Sequence, residues 1–226
     1  MDTLNVIEAL RSRRSVRGFL DTPVSRATVE SILTSASFSP SAANTQPWRV
    51  YACSGEAKQQ LRDELVELHY AGGGGHVADY QYYPEDWQDP YLSRRKLVGK
   101  QLYEILGIAR TDTRGMYGQY AKNFGFFGAP VGLFFTLDRI HRQAAWIDLG
   151  MFMQSVMLAA AAHGLQTCPQ QAFARYHRVI RRHLHVPESE IVVCGMALGY
   201  EDPDDPANTL RTGREAVDDF TSYVDL

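Results

Sequence analysis

The sequence predicts one domain of strands separated by helices, an α+β or α/β protein, and three observations carry that prediction. Two continuous apolar runs, Val131–Leu137 and Ile191–Leu198, suit buried central strands. Arg49–Cys53 alternates as a third strand. Between them lie segments with helical apolar spacing, and 226 residues at 45% hydrophobic content suffice for one full core. No internal repeat or linker divides the chain, so residues 1–226 form a single domain.

In chain order, Thr3–Arg13 reads as a helix with Asp2 or Thr3 as N-cap and Leu4, Ile7 and Leu10 on one face. Gly18 marks a turn, and Pro23-Val-Ser25 leads into a helix capped by Ser25, with Val29, Ile32, Leu33 and Ala36 facing the core. Pro40 breaks it. A helix from about Ala57 to Tyr70 turns Leu61, Leu65 and Leu68 inward. From Ala71 to about Arg95 the pattern collapses into Gly72–Gly75 followed by Tyr80, Tyr82, Tyr83, Trp87 and Tyr91, broken by Pro84 and Pro90. No GK[ST] follows the glycines, which argues against a phosphate loop. This excursion (71–95) is either a lid over a site or an aromatic surface in a subunit contact. Helical pattern resumes over Lys96–Ala109 and in a weaker stretch before Phe124.

Gly128-Ala-Pro130 opens the strand at Val131. Ala144–His163 is the longest helical signal and is apolar nearly all round, with Gly164 at the C-cap. Such a helix is buried in a domain core or between subunits. Its most apolar run, Met151–Ala162, is too short to cross a bilayer. Arg175–Leu184 reads as a basic surface helix, and the tail from Glu201 has no core pattern.

Composition narrows the function. A net charge of -3 makes no electrostatic case for nucleic acid, and the basic run His177, Arg178, Arg181, Arg182, His183 and His185 has no interleaved aromatic platform. Cys53, Cys168 and Cys194 are odd in number and form no CxxC, which argues against a disulfide framework or zinc and suits a reducing compartment. No charged–apolar–small leader is evident, so the expectation is a cytoplasmic protein without membrane attachment. The histidines show no metal spacing, and no nucleophile–base pair stands out. The GxGxxG fingerprint of a Rossmann crevice is absent.

What remains is arginines and amides. Arg11-Ser-Arg-Arg-Ser-Val-Arg-Gly-Phe19 packs four arginines and two serines into seven residues. A solvated helix end is the bland account of that charge; guanidinium forks matched to a phosphate are the sharper one. Two later stretches favour the second, Ser39-Pro-Ser-Ala-Ala-Asn-Thr-Gln-Pro-Trp48 and Arg211-Thr-Gly-Arg214. An inventory of arginines and amides without acid–base machinery suits a phosphorylated redox cofactor that brings the reactivity itself. Flavin mononucleotide (FMN) is the natural candidate.

At these residues the chain resembles the FMN-dependent nitroreductase family over most of its length. Arg13-Arg-Ser-Val-Arg17 with Phe19 looks like the first flavin motif of that family, and Ser39–Trp48 like the second. Gly164-Leu-Gln-Thr-Cys-Pro169 looks like the third and Arg211-Thr-Gly-Arg214 like the last. The resemblance implies an α+β three-layer fold, a mostly antiparallel central sheet flanked by helices, and an interlocked homodimer with FMN at the subunit interface. It implies that Arg13, Arg14, Ser15 and Arg17 hold the phosphate and the N1–C2=O ring edge, and that Pro40, Ser41, Asn44 and Gln46 reach the flavin from the partner. Asn123 would be the ring-edge amide, Pro169, Gln170, Gln171 and Ala172 would line the ring with a backbone N–H toward N5, and Arg211 and Arg214 would close on the phosphate. Two departures stand out: Ala172 occupies a place where some members have glycine, and Arg-x-x-Arg replaces a frequent Lys-x-Arg.

The implied activity is hydride transfer from NAD(P)H through FMN to nitroaromatic or quinone-like acceptors, with ping-pong kinetics and no catalytic side chain of its own. Tyr82, Tyr83, Trp87 and Phe124 are the candidate acceptor pocket. Within the same fold the alternatives are a flavin-consuming enzyme or a reductive dehalogenase, the latter needing a lid from Tyr91, Glu104 and Lys96 or Lys100. Outside it stands a non-catalytic FMN-binding protein.

Overall fold

The computed structural model describes residues 5–225. Four strands, β1 (Trp48–Ser54), β2 (Val131–Asp138), β3 (Gln166–Gln170) and β4 (Glu190–Gly199), form one sheet in the order β1-β2-β4-β3. Every neighbouring pair is antiparallel, which decides for α+β over α/β. Helices α2 (Arg26–Ala36) and α6 (Gln143–Ala162) cover one face; α3 (Gly55–Tyr70) and α7 (His177–Leu184) cover the other. Three layers result.

Local chemistry explains most boundaries. Ser25 caps α2 by accepting from Thr28 N at 3.1 Å, and Val29, Ile32 and Ala36 are buried as their spacing requires. Leu61 and Leu65 of α3 are fully buried. Helix α6 buries Leu149, Phe152, Val156 and Ala160 against the sheet, leaves Ile147 exposed, and ends before Gly164 at φ +72°. Over its full 20 residues it is long and apolar enough to cross a membrane, unlike its Met151–Ala162 run, yet here it packs on strands.

Four expectations need correction. Asp2, Thr3 and Leu4 lie outside the described residues, and α1 (Val6–Ser12) is capped by Asn5, whose Oδ1 accepts from Glu8 N at 3.0 Å in a capping box. Ile7 and Leu10 on α1 are exposed. Helix α4 spans Tyr91–Ile105, starting earlier than Lys96, because Asp89 Oδ1 accepts from Ser93 N at 3.0 Å and nucleates the first turn. It buries no residue. Strand β3, which no apolar run announces, is the last strand of the sheet, and its outer edge, met only by the Ser15 loop among the described residues, tolerates Gln166, Pro169 and Gln170. Finally, α7 is only half a surface helix: Val179, Ile180 and the Arg181 side chain are buried. Helix α5 (Thr113–Ala121) is the weaker stretch before Phe124, and α8 (Val217–Phe220) is a short turn in the tail.

Two strand glycines shape the α3/α7 face. A Cβ on Gly132 would fall inside the Phe126 ring, and one on Gly195 inside the Phe173 ring. Gly195 pairs with Phe134, so Phe126, Phe134 and Phe173 nest together, with centroids 4.8 Å apart for Phe126–Phe173 and 5.1 Å for Phe134–Phe173. All three rings are fully buried. On the neighbouring edge, a β-bulge between Phe135 and Thr136 leaves Val193 as the extra residue of β4. Its carbonyl accepts from Gln171 Nε2 at 3.0 Å and from the Tyr80 hydroxyl.

The excursion is fixed at Asp79. Its carboxylate accepts from Arg139 at 2.6 Å and from Arg181 at 3.1 Å, with His177 Nδ1 at 3.3 Å. Burial disfavours this charge, but Arg139, His177 and Arg181 outweigh it and hold the carboxyl below its ordinary 3.8.

Adding a methyl at Gly195→Ala overpacks Phe173 and is expected to cost about 1–3 kcal/mol, read as a lower urea midpoint at unchanged m-value. Asp79→Asn strands the buried Arg181 charge and is expected to cost about 2–4 kcal/mol at neutral pH. Because the folded pKa lies below 3.8, that contribution is complete above about pH 5 and is lost as pH falls through the folded value. Urea melts of wild type and variant should therefore converge in acid.

Candidate active site

The arginine-rich loop leaves α1 at Arg13 and adds itself to the edge of β3. Ser15 bridges Thr167 in parallel, and Val16 N donates to Thr167 O at 3.1 Å. The C-terminal segment holds the other side. Asn208 accepts from Arg17 N at 2.7 Å and donates to Gly18 O at 2.8 Å, and Phe19 bridges Glu201. The first and third sequence motifs are thereby bridged side by side, with the C-terminal segment sewn over them.

Cys168 follows the bridged Thr167 and is buried. Burial pushes that thiol up to about 11, against the pull of Arg17, Ser15 and Arg13. Arg13 itself is held below its ordinary value, first by burial and then by the like charge of Arg214. Arg13, Arg17, Arg211 and Arg214 have no salt-bridge partner among the described residues. Arg211 donates to Asn208 O at 2.8 Å, and Arg214 to Thr212 Oγ1 at 2.7 Å, so both are braced by their own loop. Arg14 turns away. It is ion-paired with Glu201, and its Nε is buried without a partner. Arg17 also borders a cleft of about 500 Å3 with Lys58, Arg62, Lys122 and a single carboxylate, Asp205.

The Pro169–Ala172 turn follows directly. Gln170 Nε2 donates to Asn123 O at 2.6 Å, while its Oε1 is buried and unpartnered. Asn123 in turn donates to Tyr120 O at 2.9 Å, which places the predicted ring-edge amide beside the predicted ring-lining turn. Gln171 points the other way, to Tyr80 and Val193. Ala172 is half-buried and leads into Phe173.

The Pro40–Gln46 loop stands apart. Ala42 N donates to the Asp148 carboxylate of α6 at 3.3 Å, and Gln46 N to Ser41 Oγ at 3.0 Å. Pro40, Asn44 and Gln46 are exposed. Ala43, Asn44 and Gln46 hold φ of 49°, 54° and 48°, a conformation that suits asparagine but strains the other two. No hydrogen bond or ion pair among the described residues ties this loop to the arginine set.

The candidate acceptor residues divide between cavities. Tyr82 and Tyr83 line a cleft of about 750 Å3 with Trp146, Met153, Gln171 and Cys194. Trp87 lies tilted against Tyr83, centroids 5.4 Å apart, with the Arg95 guanidinium over its ring, outside that cleft. Phe124 is buried and lines a second cavity of about 450 Å3 with Ala172, Tyr120 and Arg175. Tyr80, Tyr120 and Arg175 are the participants that sequence reasoning missed. Tyr80 sits in the aromatic run, but its bond to a bulge carbonyl has no local signature, and Arg175 hid in what reads as a plain basic helix.

Unneutralised arginines laid against a sheet edge, with amides beside them, form a cationic site on an α+β fold. The chain belongs to the nitroreductase family, whose sequence profile, described as "Nitroreductase family", matches residues 10–200. It is 40% identical over 217 residues to the nitrobenzene nitroreductase of Ectopseudomonas oleovorans, covering 96% of each chain. It is 40% identical over 213 residues to a 4-nitrobenzoate reductase of Pseudomonas putida, covering 94% of this chain and 92% of that one. The crystal structure of the FMN and NADPH-dependent nitroreductase NfnB from sphigopyxis sp. strain HMH superposes with a TM-score of 0.94 at 39% identity, over 99% of this chain and 100% of that one.

Proposed function

We propose that the chain is an NAD(P)H-dependent, FMN-containing nitroreductase that acts as a homodimer on nitroaromatic or quinone-like acceptors. The observation that carries this reading is the set Arg13, Arg17, Arg211 and Arg214, four cations from the first and last motifs without an ion-pair partner among the described residues. A phosphate dianion supplies the missing counter-charge, and guanidinium forks bind it bidentately. Arg13, Ser15 and Arg214 hold that phosphate, with Arg211 closing from the tail and Arg17 meeting the carbonyl edge of the ring. Asn123 and Gln170 offer amides to the ring edge, and Pro169 and Ala172 line it, with Gln171 contributing its backbone while its side chain turns to Tyr80. Arg14 supports the loop through Glu201 instead of touching the phosphate.

When bound, FMN supplies two-electron chemistry, accepting hydride from the nicotinamide and passing it to an acceptor that takes the same place in turn, hence ping-pong kinetics. The protein's share is positioning, exclusion of water by aromatic walls, and the fixed positive charge of Arg17 toward the ring edge. Protons come from water. The exposed, strained Pro40–Gln46 loop supports delivery of Pro40, Ser41, Asn44 and Gln46 to the partner's flavin. So do the uncovered apolar residues Ile7, Leu10, Phe38, Leu97 and Ile147, which a second copy would bury. Tyr82 and Tyr83 of the excursion stack flat acceptors. The names of the nitrobenzene and 4-nitrobenzoate relatives support the acceptor class. Three buried free thiols suit a reducing cytoplasm.

Purified protein should show flavin absorbance that bleaches anaerobically with NADPH and returns with a nitroaromatic. A colourless protein that takes up no FMN overturns the reading. Arg13→Gln should weaken FMN binding about 10- to 100-fold, measured by fluorescence quenching of the flavin.

A further inference from the structure

The second cavity has a composition of its own. Its walls are aromatic and thioether side chains, Met116, Tyr117, Tyr120, Phe124 and Tyr176, and its floor includes Ala172 from the turn assigned to the flavin. About 450 Å3 accommodates a single-ring compound. The rings are locked: His69 and Tyr117 stack at 3.9 Å, Phe124 meets Tyr176 edge-on at 5.1 Å, and the Tyr117 hydroxyl donates to His69 O. Tyr82 and Tyr83 approach from the excursion; burial and these two neighbours push the Tyr120 phenol up to about 12. No carboxylate lines this cavity.

At its edge stands one guanidinium. Arg175 Nε donates to His76 O at 2.8 Å, and the guanidinium carbon lies 5.7 Å from the Tyr176 ring centroid. Gly73 at φ +82° makes room for it, since a Cβ there would strike the guanidinium. The group is thus aimed by one backbone bond and one aromatic face. It has no ion-pair partner among the described residues, although the chain carries 26 acidic residues against 23 lysines and arginines. Beside it, His76 Nδ1 is buried without a partner, its ring leaning on Tyr176 at 5.4 Å.

A planar apolar slot with a free planar cation at its rim is complementary to a flat aromatic ring that carries an anion. We infer that this cleft takes aromatic acceptors bearing a carboxylate, and that Arg175 is the specificity-determining residue that grips the carboxylate. The inference deepens the proposed function, on which it rests for the role of Ala172. It assigns Arg175 to acceptor recognition, leaving the FMN phosphate to Arg13 and Arg214.

The test is binding, so that it stands apart from turnover. Benzoate and benzamide, which have the same ring and no reducible nitro group, are titrated into the oxidised FMN-loaded protein and followed calorimetrically. Arg175→Met should raise the benzoate Kd about 10- to 100-fold and leave benzamide unchanged, and Arg175→Lys should recover part of the loss. In turnover, the preference for 4-nitrobenzoate over its methyl ester should collapse in Arg175→Met, with the KM for NADPH unmoved. The inference is overturned if Arg175→Met weakens both ligands alike, or neither, or if the KM for NADPH rises while the acid–ester preference holds. Failure of NADPH to bleach wild-type flavin would sink the proposed function instead, and leave the benzoate comparison to decide this inference by itself.

Discussion

The structure depends on two absent side chains. Gly132 and Gly195 strip the sheet bare at adjacent places, and Phe126 and Phe173 lie down on the exposed backbone. Each phenylalanine ends a segment that serves the site: Phe126 follows Asn123, and Phe173 follows Pro169–Ala172. The amide contact between Gln170 and Asn123 is possible because both segments are drawn onto the same floor. The left-handed backbone at Phe126 and Phe127, φ 52° and 53°, is unfavourable for bulky residues, and complete burial of the Phe126 ring opposes it. Packing here fixes the position of polar groups, the buried Gln170 among them.

Charge is arranged by the complementary rule. Where the protein needs rigidity, cations are paired: Arg181 and Arg139 share Asp79, and Arg14 holds Glu201. Where a ligand is proposed, they are left without carboxylates and braced by backbone carbonyls, as with Arg211, Arg214 and Arg175. Carbonyl bracing fixes direction without cancelling charge, so the guanidinium remains free to recognise an anion.

Legibility in the sequence followed the range of the interaction. Helices α2, α3 and α6 and strands β1, β2 and β4 were readable because apolar spacing and caps such as Ser25 are local signals. Strand β3 was not, because Gln166–Gln170 is defined by its pairing with β4 and by nothing within itself. The start of α4 is held by the Asp89 side chain reaching Ser93, a contact hidden inside an aromatic run. At the site, the four motifs were visible as residue types, and the Ser15–Thr167 bridge shows the first and third meeting. The commitment of Arg14 to Glu201 depends on a partner 187 residues away, which no local pattern reveals. Arg175 was overlooked for the opposite reason: neighbouring arginines made its charge look like a solvated face.

The like-charged pair Arg13 and Arg214 has a consequence for the chain end. Arg214 sits in an exposed tail, where its guanidinium donates to Thr212 and Gly213, while Arg13 belongs to the sheet-edge loop. Glu215, the next residue, pairs with Arg94 of α4 at 2.9 Å, so the backbone beside Arg214 is held to the fold. A ligand phosphate gripped by Arg13 and Arg214 would join the first and last motifs of the chain, so that binding would stabilise the fold against opening from its ends.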